Sequence, residues 1–198
     1  HCSAANARRL GELGQRFLER RQPSLEAQLS NLADEIAYNN HDVDDGIRAG
    51  LIGIDELREV AIFRRQHDLV TARYPGLGSR RLVHEVVRRM IDFLVNDLIA
   101  ASESAIARAA PADVEAVRSR PEPLLTFGDE VRAEHLELKQ YLRRHLYRHY
   151  KVLRMTTKAR RVMNELFQAM FEETELMPTE HQEAAQRMEA EAGAPGRA

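Results

Sequence analysis

Apolar positions recur along this chain at helical spacing and nowhere hold the two-residue alternation of a strand. Over residues 4–20, Leu10, Leu13, Phe17 and Leu18 fall on one side, which predicts a first helix broken by the stretch 21–24. Ser24, with Glu26 and Gln28 behind it, reads as a helix start. Leu25, Leu29, Leu32 and Ile36 then recur at steps of four, three and four, predicting a helix over about residues 25–41 with one buried stripe. Each of those side chains would contribute about 1.5–3 kcal/mol on burial. Asp44, Asp45 and Gly46 supply a stop, with Gly46 suited to a left-handed C-terminal position. A third helix is expected over 52–67, capped at Asp55. Residues 73–80 form a turn cluster. Ser79 then opens a long helix that buries Leu82, Val83, Val86, Met90, Phe93, Leu94 and Leu98. Residues 109–126 hold three prolines and are expected to form an exposed, mobile connector. One or two further helices reach about residue 173, and the acidic tail is expected to fray. The fold class predicted is all-α.

Composition narrows this only a little. A chain of 198 residues accommodates one sizeable domain or two small ones. The single cysteine, Cys2, excludes an internal disulfide and fits a reducing, cytoplasmic setting. No apolar run approaches the roughly 18 residues of a membrane span, so no membrane partner is expected. The start lacks the apolar core of a signal peptide. It also lacks an initiator Met, and the expectation is an internal or truncated piece of a longer polypeptide.

Charge changes the picture more. Residues 23–47 hold six acids and no Lys or Arg. Within them Asp34, Tyr38 and Asp42 stand at i, i+4 and i+8, a stripe roughly opposite the leucine face. Such a stripe is either a plain solvated surface or the wall of a site that takes a cation. A calcium loop starting at Asp42 fails, because its glycine falls at position five and position twelve is Gly53. A counter-region exists from Lys139 to Asn164, with nine Lys or Arg, His145 and His149, three interleaved tyrosines and no acid. It suits a nucleic-acid surface, a phosphate site or a subunit contact. The net charge of −2 argues against a DNA-binding domain, whereas Arg and Lys set against a carboxylate-held metal suit a polyphosphate. Arg148 and Lys151 are the candidates for phosphate or effector contact. His84 reads as an ordinary, partly buried histidine; His135 and His181 read as exposed and without a role. No nucleophile set and no glycine-rich phosphate loop is present.

Residues 23–52, PSLEAQLSNLADEIAYNNHDVDDGIRAGLI, resemble the bacterial deoxyguanosinetriphosphate triphosphohydrolase-like family, and residues 146–167, LYRHYKVLRMTTKARRVMNELF, resemble a second stretch of the same proteins. The resemblance implies a multi-helical HD-domain bundle, incomplete here. It implies a cytoplasmic, homo-oligomeric hydrolase that uses Mg²⁺ or Mn²⁺ to cleave a deoxynucleoside triphosphate into deoxynucleoside and tripolyphosphate. By the same resemblance Asp34 matches a metal ligand, Tyr38 the residue packed on the deoxyribose, and Asp42 the acceptor for the 3′-hydroxyl. The family's first histidine and its His-Asp pair have no match: His1 is followed by Cys2, and His41-Asp42 lies after the final aspartate. The expected division is an HD-core part over 1–52, a helical subdomain over 53–177 and a tail over 178–198. With one ligand present, the isolated chain is expected to be inactive. The alternative is a non-enzymatic helical scaffold or nucleic-acid-binding regulator of the same family, with single-stranded nucleic acid as its partner.

Overall fold

The computed structural model describes residues 3–191, so His1, Cys2 and the end of the tail lie outside it. Among the described residues there are helices and turns and no strand, as an all-α chain requires. The chain forms two compact units, His1–Tyr147 and Arg148–Ala198.

The first unit opens with two short helices, α1 (Ala4–Arg9) and α2 (Glu12–Leu18), in place of the single helix expected. Gly14 explains their close packing: a Cβ there would meet the backbone of Ala7. The apolar face predicted for this stretch stays in solvent, Leu13 being 70% exposed. Helix α3 (Leu25–Arg48) runs about two turns past the predicted end at residue 41 and straight through the expected stop at Gly46. Gly46 is an interior helical residue rather than a terminator. It lets Ile52 and Leu146 come close enough that a Cβ would meet the side-chain tips of both. The left-handed position falls at Gly50, with φ +63°. The buried face of α3 is also more polar than its leucine pattern suggests. Gln28, Asn39 and Asn40 are buried with Ile36 and Val43, while Leu29 is half exposed.

The third predicted helix divides into α4 (Ile54–Leu57) and α5 (Ala61–Arg73), and α4 is capped by Gly53, not Asp55. Helix α6 (Ser79–Ala109) begins at Ser79 as expected, and packs Val83, Val86, Met90, Leu94 and Leu98 into the core against α3 and α5. The 109–126 connector is neither wholly exposed nor loose. It contains α7 (Val114–Arg118) and buries Val117, Leu124 and Leu125. The backbone N–H groups of Leu124 and Leu125 both donate to Gln28 Oε1, at 2.9 and 3.1 Å. Thr126 N–H donates to Ser102 Oγ at 3.1 Å, and Gly128 N–H to Asp97 Oδ2 at 2.8 Å. Buried polar groups thus find partners across three elements, which fixes the connector.

Helix α8 (Asp129–Leu142) packs on α3 and α5 and runs into a π turn, Arg143–Tyr147, that ends the first unit. The second unit holds α9 (Tyr150–Glu172) and α10 (Thr179–Glu191), joined by a short 3₁₀ turn. The described part of the tail is therefore helical, not frayed; residues 192–198 lie outside the described chain. Helix α9 is amphipathic yet buries none of its residues. Among the described residues, no helix is long and apolar enough to cross a membrane.

Candidate functional site

Four-residue steps advance about 40° beyond a full turn. The stripe 34–38–42 therefore does not stay opposite the core; it winds from open surface toward the edge of the buried face. Asp34 is exposed, the Tyr38 ring is 59% exposed, and Asp42 is half-buried. Asp42 meets a residue from the far end of the unit: the Tyr147 hydroxyl donates to Asp42 Oδ2 in a short hydrogen bond. The Tyr38 and Tyr147 rings lie 6.4 Å apart, tilted by 52°. Burial holds the Asp42 carboxyl above the usual carboxylate range, against the opposing effect of the Tyr147 hydrogen bond. Burial and the neighbouring carboxylate push the Tyr147 phenol well above its ordinary value.

The π turn brings Tyr147 there. Such a turn carries one more residue per hydrogen-bonded loop than an α turn and shifts the helical phase of the residues after it. Here it buries Leu146 against Gly46 and turns the adjacent phenol onto Asp42. In the sequence Tyr147 is only one aromatic among several in a basic run. A break in helical period is not visible in residue types.

A second contact backs the stripe. His135, expected at the surface, is buried on α8, edge-on to Phe127 at 5.0 Å. The Asn39 side-chain amide nitrogen, a donor only, lies 2.9 Å from its Nε2, so Nε2 accepts and Nδ1 carries the proton, facing Glu35 Oε1 at 3.7 Å. Lys139 closes the group with a 2.8 Å ion pair to Glu35. Burial lowers the His135 pKa. Asn39 and Glu35 flank Tyr38 and Asp34 in the chain, so this buried network holds the helix from behind. Two residues of the basic stretch, Lys139 and Tyr147, thus answer two of the unpaired acids.

The structure brings Tyr38 and Asp42 together with Tyr147. Asp34 stands one turn further out, and the two hollows that border His84 are lined by none of these residues. Arg148 and Lys151 are exposed and belong to the second unit, where the His149 side chain accepts from the Lys151 N–H at 3.3 Å and caps α9. His181 is exposed, as expected, whereas His84 is exposed rather than partly buried.

A divalent cation needs several ligands. Among the described residues no three His, Cys, Asp or Glu side chains come together as such a set, and Asp34 is a lone carboxylate. His41 is exposed and Asp42 is engaged by Tyr147. These residues do not fit a complete metal site by themselves.

Similarity to known proteins supplies the class. Residues 125–198 match the phosphohydrolase-associated domain. Over 181 residues the chain is 55% identical to a deoxyguanosinetriphosphate triphosphohydrolase-like protein of Bordetella pertussis. It is 50% identical over 182 residues to the protein of that description in Ralstonia nicotianae, and 49% identical to the one in Thiobacillus denitrificans. These matches cover 91–92% of this chain. The chain is thus a homologue of the deoxyguanosinetriphosphate triphosphohydrolase-like proteins, the family that residues 23–52 and 146–167 resemble. It spans about half, 47–48%, of the length of these curated relatives.

Proposed function

We propose that the complete protein is a divalent-metal-dependent hydrolase of deoxynucleoside triphosphates of the dGTP type, and that this chain supplies one metal ligand and the sugar-facing edge of its site. The observation that carries the reading is the meeting of Tyr38, Asp42 and Tyr147 on one edge of α3. An aromatic face beside a carboxylate is a fitting cradle for a sugar ring with one hydroxyl to hold. Tyr147 takes Asp42 Oδ2, leaving Oδ1 to accept from a 3′-hydroxyl. Asp34, one turn out, contributes a carboxylate to Mg²⁺ or Mn²⁺, whose Lewis acidity at phosphate oxygens is the chemistry such an ion supplies. The further ligands come from outside the described residues. Arg148 and Lys151, on the second unit, are proposed for contact with phosphate or with an effector, a homo-oligomer in the cytoplasm is the working form, and the isolated chain is inactive.

The test is release of tripolyphosphate from dGTP by the complete protein. Asp34→Ala is expected to abolish turnover while leaving the helical circular dichroism and the unfolding midpoint unchanged, because Asp34 is exposed and removes no packing. Undiminished turnover in that variant would show Asp34 to be surface and sink the reading. A second reading, a scaffold or regulator that binds single-stranded nucleic acid, draws on α9, which carries Lys151, Arg154, Lys158, Arg160 and Arg161 and buries nothing. Salt-sensitive binding of an oligonucleotide, with no turnover of any deoxynucleotide, would favour it.

A further inference from the structure

On the other flank of α3, away from Tyr147, the first unit holds a hollow of about 220 Å³ between the end of α3, the start of α4 and the first turns of α6. Its wall is apolar: Ile47, Ile54 and Val83. Its polar lining includes Arg48, Arg80 and His84 with one carboxylate, Asp44. Arg48 is held by Asp44 at 2.7 Å, but Arg80 has no carboxylate partner among the described residues. The start of α6 borders the hollow, with Ser79 and Arg80 in its lining and Gly78 capping the helix without a side chain. His84 also borders a wider hollow of about 520 Å³, whose rim adds Tyr74 and Arg81. Arg81 likewise lacks a carboxylate partner among the described residues.

A greasy floor alone would take any apolar body, and the one unpaired guanidinium of this hollow, Arg80, would alone be ordinary surface. Together, within one small concavity, they select a ligand with both parts. We infer that this hollow binds a phosphate monoester carrying a compact ring system, a nucleoside 5′-monophosphate being the type. The ring lies on Ile47, Ile54 and Val83, and the phosphate meets Arg80, His84 and the start of α6. At about 220 Å³ the hollow lies below the usual range of ligand pockets, so it seats a single ring system on its apolar wall and leaves the phosphate at its open rim. The site is set on the opposite flank of α3 from Tyr147, so it stands independently of the hydrolase reading.

The experiment uses the complete protein with isoleucine and valine methyl groups labelled for NMR, titrated with deoxyguanosine 5′-monophosphate, phenyl phosphate, inorganic phosphate and deoxyguanosine. The first two are expected to shift the methyl signals of Ile47, Ile54 and Val83 in a saturable way. The last two, each lacking one part, should bind at least tenfold more weakly. Arg80→Gln, an exposed substitution that leaves the fold intact, should weaken the monophosphate at least tenfold, and Ile54→Ala should weaken phenyl phosphate. The absence of any saturable shift at these three methyls with deoxyguanosine 5′-monophosphate and phenyl phosphate overturns the proposal. So does an affinity that Arg80→Gln leaves unchanged.

Discussion

A carboxylate that leaves water gives up hydration, and at Asp42 the Tyr147 hydroxyl restores only one hydrogen bond of the several lost. Burial raises the Asp42 pKa and that hydrogen bond lowers it, with burial the larger. Removing the donor therefore has a definite sign. Tyr147→Phe should raise the Asp42 pKa further, read from the pH dependence of its side-chain carboxyl carbon by NMR; a fall would mean that the contact does not form. Stability inherits a sign from the same shift. A folded-state pKa above the unfolded one means that the folded chain holds the proton more tightly, so stability falls as pH rises from the ordinary carboxylate range through the folded value. The variant should widen that window toward neutrality.

Gln28 does for α3 what no leucine could. Its Oε1 accepts from two backbone N–H groups of the connector, while its Nε2 donates to Pro23 O at 2.9 Å. Gln28→Ala strands two buried donors and should cost about 1–3 kcal/mol in denaturant unfolding. Glu at this position keeps an acceptor and should cost less. This contact also marks where pattern reading stops. Hydropathy makes Gln28, Asn39, Asn40 and His135 polar and hence outward, yet all four are buried, because each partner lies about 100 residues away or on a neighbouring turn. Spacing placed Asp34, Tyr38 and Asp42 on one stripe, since helical geometry is local. It misplaced the end of α3, because two aspartates and a glycine resemble a stop unless Leu146 is known to press on Gly46. It also put Leu10, Leu13, Phe17 and Leu18 on one side of a single helix, where the structure has two short helices and leaves all four exposed. An apolar stripe states that something could cover it, not that this unit does.

Charge averages conceal the whole. A net charge of −2 is the sum of an acidic α3 and a basic stretch from Lys139 onward, joined inside the first unit at Glu35–Lys139 and Asp42–Tyr147. Beside the first of these junctions His135 is kept neutral by burial, with Lys139 adding to that effect and Glu35 opposing it. Above the ordinary histidine value of about 6.5 neither folded nor unfolded chain carries this proton. Below it the unfolded chain takes one up and the folded chain resists. Stability should then decline on acidification from about pH 6.5, with a slope from this group of at most about 1.4 kcal/mol per pH unit. His135→Gln should flatten that part of the curve in denaturant unfolding at stepped pH. The π turn at Arg143–Tyr147 carries a last implication. It is one residue longer than the α turn it replaces, so it amounts to an inserted amino acid stored in a helix. Deleting Arg144 should let the stretch close into an ordinary α turn with the circular dichroism intact, and since five residues of π turn and four of α turn both end near one full turn, the Tyr147 ring should keep its direction. Spectrophotometric titration should then still find a phenol ionising well above the free tyrosine value of about 10. The slack is local: it can be drawn out of this turn without costing the reach to Asp42.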